Sequence, residues 1–185
     1  MSYVQEYERR RTGPWTDIQD HLPFLYDTVR AYECPDVVEL GVRSGESTSA
    51  FLAALETLAS GHLDSVDIDQ PQVPQEWFAN PQWTFHQGND LDLQAVLPPQ
   101  FDVLFIDTSH TFEQTLAELR AFVPRVAPGG IVLLHDTQWL SPAVSLSAPG
   151  GPVTEALDAY CAETGMNWEN RLSEPGFYGL GVLKK

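Results

Sequence analysis

Two segments of the sequence, FDVLFIDTSH at 101–110 and IVLLHDT at 131–137, run from apolar residues into a cluster of ionisable side chains. Asp107 and His110 follow the first apolar run, and His135 and Asp136 follow the second. If both runs are strands that end side by side, two carboxylates and an imidazole could hold one hard divalent cation and leave water positions for a substrate. A neutral histidine there could also accept a proton from a reacting group. The two segments therefore predict acid–base or metal-assisted chemistry.

The same residues also have a purely structural interpretation. Thr111 followed by Gln114 fits a capping box, so that DTSHT could simply begin a helix while Asp107 fixes the turn before it. His110 would then be a partly exposed polar residue near the helix N-terminus. A catalytic role for His110 is therefore a hypothesis that stands beside this structural alternative.

The elements that must position these side chains alternate along the chain. Apolar or β-branched runs at DVVELG, LDSVDID, WTFHQG, FDVLFID and IVLL predict five strands, and helical periodicity follows the first and the fourth. Strands that alternate with helices indicate a parallel sheet covered on both faces, which is a doubly wound α/β fold. Apolar spacing over 15–33 predicts a leading helical segment, and APGG at 127–130 predicts a turn into the fifth strand.

The C-terminal part of the chain follows a different pattern. VTEALDAYCAE is expected to be helical, and MNWENRL and FYGLGVLKK are strand-like runs separated only by SEPG. So short a link favours an antiparallel hairpin, because a parallel pair needs a crossover of about a dozen residues or more.

A glycine-rich turn, VVELGVRSGES, follows the first predicted strand. Three residues separate Gly41 from Gly45, where a P-loop has four and then a Lys-Ser or Lys-Thr pair, and the second glycine of a dinucleotide fingerprint is absent. The carboxylate of Glu39 suits a ligand that carries an ammonium or sulfonium group. Ser47 and the N–H groups of the following helix could receive the carboxylate of that ligand. S-adenosylmethionine has all of these groups.

Asp67, at the end of the second predicted strand, favours the same ligand. An acidic residue at this place in a nucleoside-binding α/β sheet accepts hydrogen bonds from ribose hydroxyls. The structural alternative is that Gly41 and Gly45 only make a tight turn and that Asp67 or Asp69 caps the loop that follows.

Composition limits the remaining possibilities. With 185 residues, the chain is expected to form one domain over 1–185, with the leading segment at 1–35 and the sheet at 36–185. Its 26 acidic and 10 basic residues give a formal charge of -16, which disfavours nucleic acids and anionic membranes as partners. The run Arg9 to Arg11 beside Glu6 and Glu8 is typical of a solvated face. Two isolated cysteines and the lack of a long apolar run lead us to expect a cytoplasmic protein.

Several motifs in this order resemble a known family. VVELGVRSGEST, VDID, LFIDTSHTFEQT and APGGIVLLHDT are similar to class I S-adenosylmethionine-dependent methyltransferases, in the branch of small-molecule O-methyltransferases related to macrolide-sugar and cephalosporin-pathway (cephalosporin hydroxylase-like) enzymes. The resemblance covers about residues 36–184. It implies a Rossmann-like seven-stranded sheet of order 3-2-1-4-5-7-6 with strand 7 antiparallel, which agrees with the predicted hairpin.

The resemblance also implies roles for individual residues. Asp107 and Asp136 match metal-ligand positions of metal-dependent relatives, for which Mg²⁺ or Mn²⁺ is the expected ion, and His110 matches a proposed general base. The cofactor is expected to contact Asp107, with Gly88 and Asn89, together with Asp90, near its adenine. His135 departs from the pattern, because relatives often have a carboxylate there; it could be a third metal ligand or contact the substrate.

These expectations combine into one function and two alternatives. The chain is expected to transfer a methyl group from S-adenosylmethionine to a hydroxyl of a small natural-product or sugar-like acceptor in secondary metabolism. Trp139 and Leu140 in the loop 139–152, with Trp15 and Tyr26, are candidate acceptor walls. The alternatives are a dinucleotide-dependent oxidoreductase and a non-catalytic S-adenosylmethionine-binding module. Metal dependence, the acceptor and a homo-oligomeric state stay open.

Overall fold

The computed structural model describes residues 1–138, 151–172 and 178–185, and within them seven strands form one mixed sheet. The strands are β1 Asp36–Leu40, β2 His62–Asp67, β3 Trp83–Gln87, β4 Phe101–Ile106, β5 Val126–Leu134, β6 Trp168–Leu172 and β7 Gly179–Lys184. Their order is β3-β2-β1-β4-β5-β7-β6, and β7 runs antiparallel to both β5 and β6. The predicted fold class, strand order and antiparallel hairpin are therefore confirmed.

Helices cover both faces of this sheet. They are α1 Tyr3–Arg11, α2 Leu22–Arg30, α3 Glu46–Leu58, α4 Phe112–Phe122 and α5 Pro152–Thr164. Alternate residues of β4 enter two separate cores: Val103 and Phe105 pack with α1, α2 and α3, whereas Leu104 and Ile106 pack with α4 and α5. A strand that is buried on both faces has no polar side, which explains the continuous apolar runs of the sequence.

The leading segment differs from the single helical stretch expected over 15–33. The structure has a helix at Tyr3–Arg11, a 3₁₀ turn at Gln19–His21 and a helix at Leu22–Arg30. Ser2 and Gln5 form a capping box that begins α1, and α1 and α2 both pack on α3. The predicted turn at 127–130 was also wrong, because β5 begins at Val126 and a register shift after Phe101 accommodates the glycines. No helix in the described ranges is long and apolar enough to cross a membrane.

Candidate active site at the strand ends

A cavity of about 430 Å³ opens at the carboxyl ends of β1, β2, β3 and β4. Ligands in open α/β sheets bind at this edge, where the direction of winding reverses between β1 and β4. A smaller cavity of about 80 Å³ adjoins it and shares Gly41, Val42, Arg43, Asp107 and Thr108 with it. The two cavities together form an elongated site along the glycine-rich turn.

The glycine-rich turn at 41–45 is pressed against the tip of β4. Gly41 has φ 93°, and a Cβ atom there would lie 1.9 Å from the carbonyl oxygen of Asp107. Gly45, with φ 77°, precedes α3 and no side chain caps that helix. The N–H groups at an uncapped helix N-terminus attract an anionic group, and Ser47 in this first turn lines the smaller cavity.

Asp67 fixes the shape of the same turn. Its Oδ2 atom accepts hydrogen bonds from the backbone N–H groups of Val42 and Arg43 at 2.8 and 2.9 Å, and Oδ1 accepts one from Asp69 at 3.0 Å. The loop-capping alternative is therefore observed. Asp67 also lines the larger cavity, and a carboxylate oxygen can accept more than one hydrogen bond, so ribose binding stays a prediction.

Glu39 lies behind the turn and lines neither cavity. The residue is completely buried, and its carboxylate accepts hydrogen bonds from Ser47 Oγ at 2.6 Å, Thr48 Oγ1 at 2.9 Å and Ser65 Oγ at 2.6 Å. Burial raises the pKa of Glu39 to about 7, although the three hydroxyl donors oppose this shift. Glu39 therefore links α3 to the sheet beneath the glycine-rich turn, and its predicted direct contact with a ligand has no support in this geometry.

The side chains at the tips of β4 and β5 converge as the sequence predicted. His110 Nε2 lies 2.9 Å from Asp107 Oδ1 and 3.0 Å from Asp136 Oδ2. His135 Nδ1 lies 3.5 and 3.4 Å from the same two carboxylate oxygens. One ligand atom from each of Asp107, His110 and Asp136 falls within 4.8 Å of the others, which is the arrangement of a potential metal site. The predicted metal ligands were Asp107, Asp136 and His135, whereas the structure groups His110 with the two aspartates.

The electrostatics of this cluster follow from its two carboxylates and two imidazoles. Burial opposes ionisation of Asp107, yet the neighbouring His135 and His110 hold the pKa of Asp107 below its ordinary value. Burial likewise opposes protonation of His110, but hydrogen bonding to Asp107 and the charge of Asp136 raise its pKa. The carboxylates also outweigh burial at His135 and raise its pKa.

Two buried polar atoms of the cluster lack partners. Among the described residues, His135 Nε2 and Asp136 Oδ1 make no hydrogen bond. Such unsatisfied buried atoms carry a free-energy cost unless an ion, a water molecule or a ligand meets them. His110 and Asp136 also have positive φ angles of 53° and 59°, a conformation that non-glycine residues rarely adopt. Unpaired atoms and strained backbone at one place are typical of a functional site.

The residues predicted to lie near adenine line the larger cavity, and a buried glutamate that the sequence did not indicate is hydrogen-bonded to Gln114 in its wall. Gly88, Asn89 and Asp90 line it, and Gln114 of α4 donates hydrogen bonds to Asp90 at 3.0 Å and to Glu118 at 2.8 Å. Glu118 is completely buried, and its burial beside Asp90 raises its pKa to about 8. An apolar helix face was the only sequence signal there, so a buried glutamate could not be identified from periodicity.

The predicted acceptor walls have different outcomes. Trp139, Leu140 and the rest of 139–150 lie outside the described residues. Tyr26 stacks on Tyr7 at 4.9 Å, away from both cavities. His21 was not among the predicted site residues. It is a buried residue of the leading segment, its ring lies 5.9 Å from that of His135, and its Nε2 atom is 2.8 Å from the carbonyl oxygen of Tyr178. The packing of the leading helices on α3 places His21 beside His135, which follows β5.

Comparison with known sequences gives one family match. The family described as a methyltransferase domain matches residues 38–137, which span β1 to the tip of β5 and include the whole glycine-rich turn and the Asp107, His110 and Asp136 cluster. No curated protein matches the chain.

Comparison with solved structures gives relatives over almost the whole chain. A candidate O-methyltransferase from Klebsiella pneumoniae has a TM-score of 0.68 and 21% identity, covering 98% of this chain and 87% of its own. The O-methyltransferase from Bacillus cereus, solved in complex with SAH, has a TM-score of 0.66 and 13% identity over 99% and 90%. The O-methyltransferase TomG from Streptomyces achromogenes, involved in tomaymycin synthesis, was solved in complex with SAM. It has a TM-score of 0.65 and 13% identity, covering 100% of this chain and 89% of its own. At these identities the likeness shows a shared fold.

Proposed function

Because the chain belongs to the methyltransferase domain family, we propose that it transfers a methyl group from S-adenosylmethionine to a hydroxyl group of a small molecule. The observation that carries the proposal is the meeting of the glycine-rich turn with the Asp107, His110 and Asp136 cluster at the switch point of the sheet. A nucleoside cofactor bound along the turn would bring its reactive end to ionisable side chains.

The two cavities match the two ends of this cofactor. The larger one, with Asp67, Gly88 and Asn89, suits an adenosine group, whose ribose hydroxyls are donors for Asp67. The smaller one, at the uncapped N-terminus of α3, suits the methionyl tail. The related folds from Bacillus cereus and Streptomyces achromogenes were solved with SAH and with SAM, which supports the same cofactor here.

We also propose that a divalent ion assists the reaction. Asp107 and Asp136 would hold Mg²⁺ or Mn²⁺ as hard oxygen ligands, with His135 as a nitrogen ligand, and the unpaired Asp136 Oδ1 atom fits this role. A bound ion of this kind lowers the pKa of a hydroxyl group that it contacts.

His110 is the proposed general base. An alcohol is a weak nucleophile at neutral pH, so removal of its proton as it attacks the sulfonium methyl group accelerates transfer. Asp107 and Asp136 orient the imidazole through contacts of 2.9 and 3.0 Å. The same contacts raise the pKa of His110. The fraction of neutral His110, the form that accepts a proton, therefore increases as the pH rises through this raised pKa. Transfer should therefore rise as the pH increases.

The acceptor class is the finer part of the proposal. We propose a natural-product or sugar-like hydroxyl compound, by resemblance to the macrolide-sugar and cephalosporin-pathway branch. The likeness to a Streptomyces achromogenes O-methyltransferase involved in tomaymycin synthesis supports a role in secondary metabolism. His21 and His135 would provide polar contacts on the acceptor side.

Methyl transfer from labelled S-adenosylmethionine to a panel of sugars and phenols tests the proposal directly. His110→Ala should lower transfer by about 100-fold, the usual effect of a missing general base, while S-adenosylhomocysteine still binds. His62→Ala is the matched control, because His62 is half-buried on β2 and contacts Thr84 at 2.9 Å, away from the cavities. Chelation should abolish transfer and Mg²⁺ should restore it.

Different negative results would remove different parts of the proposal. Full activity after exhaustive chelation would remove the metal ion. Undiminished transfer by His110→Ala would remove the base. Binding of S-adenosylhomocysteine without transfer to any acceptor would favour a non-catalytic binding module.

A further inference from the structure

The leading segment contributes one wall of the smaller cavity, through Asp17 and Ile18. Ile18 is 4% exposed and packs in the core, and the next residue, Gln19, is also buried. The Nε2 atom of Gln19 donates to the carbonyl oxygens of Arg10, Arg11 and Gly13 at 2.9 to 3.1 Å. Asp17 is therefore held at the cavity by buried neighbours on its C-terminal side.

Three carboxylates line the smaller cavity, and two of them are already engaged. Glu46 contacts Arg10 Nη1 at 3.1 Å and accepts a hydrogen bond from Ser44 Oγ at 2.6 Å. Asp107 contacts His110 at 2.9 Å and His135 at 3.5 Å. Both carboxylates therefore have positively charged or polar partners within the protein.

Asp17 is the least engaged of the three carboxylates. Its contact in the described part of the chain is Arg43 Nη1, which lies 3.4 Å from Asp17 Oδ2, and 32% of the Asp17 side-chain surface is exposed to solvent. The Arg43 side chain is itself 80% exposed, so solvent weakens this ion pair. Asp17 can therefore accept a hydrogen bond from a charged ligand group in the cavity.

The proposed cofactor has a group that needs such a carboxylate. Its methionyl tail is a zwitterion, with an ammonium and a carboxylate on the same carbon atom. The uncapped N-terminus of α3 and Arg43 suit the carboxylate of the tail. Glu39, the residue that the sequence suggested for the ammonium group, is buried behind the turn with three hydroxyl donors. The ammonium group therefore requires another partner.

We propose that Asp17 binds the α-ammonium group of the methionyl tail and so selects for an intact amino-acid end on the cofactor. This inference rests on the proposed function and adds a residue from the leading segment to the cofactor site. The adjacent carboxylate and guanidinium of Asp17 and Arg43 are complementary to the two charges of the zwitterion. Binding would exchange one solvent-weakened ion pair for charge-assisted contacts to both groups.

Calorimetric titration with three related compounds tests this role. S-adenosylhomocysteine carries both tail charges, its deamino analogue keeps the carboxylate but lacks the ammonium, and 5′-methylthioadenosine lacks both. Asp17→Asn should lower the affinity for S-adenosylhomocysteine by about tenfold and leave the affinities for the other two compounds within about twofold of the wild-type values. Asp20→Asn, an exposed aspartate three residues away, is the matched control and should bind all three like the wild type. A thermal melt of each variant establishes that it is folded.

The pattern across the three compounds separates the outcomes. A loss that appears only with S-adenosylhomocysteine supports the contact between Asp17 and the ammonium group. Equal losses with the deamino analogue would mean that Asp17 only shapes the cavity, and unchanged binding of S-adenosylhomocysteine would assign the ammonium to another group; either result overturns the inference. A wild-type chain that binds none of the compounds would overturn the proposed function and the role of Asp17 with it.

Discussion

Replacement of Glu39 by glutamine tests the electrostatics of this buried carboxyl beneath the glycine-rich turn. Burial raises the pKa of this carboxyl from 4.5 to about 7 in the folded protein, despite the hydroxyl donors around it. The folded state therefore holds a proton at pH values where the unfolded chain has released it. Because the pKa is raised on folding, the contribution of Glu39 to stability is complete below about pH 4.5 and is lost as the pH rises through about 7.

Glu39→Gln keeps the size of the side chain and one acceptor oxygen, and its amide group donates as a protonated carboxyl would but cannot ionise. A change in pKa from 4.5 to about 7 corresponds to about 3 kcal/mol at about 1.4 kcal/mol per unit. Integration between about pH 5 and about pH 8 leaves about 2 to 3 kcal/mol of this effect. We therefore expect the free energy of unfolding of the variant, relative to that of the wild type, to be about 2 to 3 kcal/mol larger at the higher pH, which means a relatively more stable variant.

Urea denaturation followed by tryptophan fluorescence measures both proteins across this range. Glu76→Gln, at an exposed position, controls for the loss of one negative charge from an acidic chain. A difference between the wild type and Glu39→Gln that does not change with pH would refute the reasoning, because Glu39 would then ionise alike in the folded and unfolded states. A difference of opposite slope would mean that the hydroxyl donors outweigh burial.

Two further predictions concern the walls of the site. Gly41→Ala should cost at least about 2 kcal/mol of stability and most of the cofactor affinity, because its Cβ would lie 1.9 Å from the carbonyl oxygen of Asp107. Gly129→Ala is the control, with φ 83° and open space around its Cβ; an equal loss there would show that backbone strain alone is responsible. Burial and the neighbouring Asp90 raise the pKa of Glu118 to about 8, so this pair destabilises the fold as the pH rises through that value. Asp90→Asn should gain about 1 kcal/mol over the wild type between about pH 6 and about pH 9 in urea denaturation, and a loss over that interval would contradict the shared burial of the two carboxyls.

Much of the sheet could be predicted from the sequence. The apolar runs of β1, β2, β3 and β4 and the short link before β7 are local patterns, and each has a direct physical cause in burial or chain length. The strand order followed from the family resemblance and agreed with that hairpin. The start of β5 was misplaced, because APGG has the composition of a turn. In the structure it lies within the register shift between the β4 pairs of Val126 and Ile131, and Gly129 and Gly130 form backbone hydrogen bonds with Lys185.

The leading segment was harder to predict, since its packing depends on distant residues. The basic run of α1 was interpreted as a solvated face, but Arg10 contacts Glu46 at 3.1 Å and donates to the carbonyl oxygen of Ser44 at 2.8 Å. A charged side chain that contacts the glycine-rich turn lies in the same kind of local sequence pattern as a charged side chain that faces solvent. For the same reason, neither Asp17 nor His21 could be assigned to the site from its neighbours in the sequence.

The sequence by itself determined that the strands end in Asp107 and His110, and in His135 and Asp136, and that a glycine turn lies between a strand and a helix. Those features follow from residue types at short spacing. Only the tertiary structure decided which histidine joins the two aspartates, that Glu39 is sealed beneath the turn, and that Asp17 faces the smaller cavity. These outcomes depend on which side chains meet across the fold, and the burial that shifts the pKa of each one exists only when those elements have packed together.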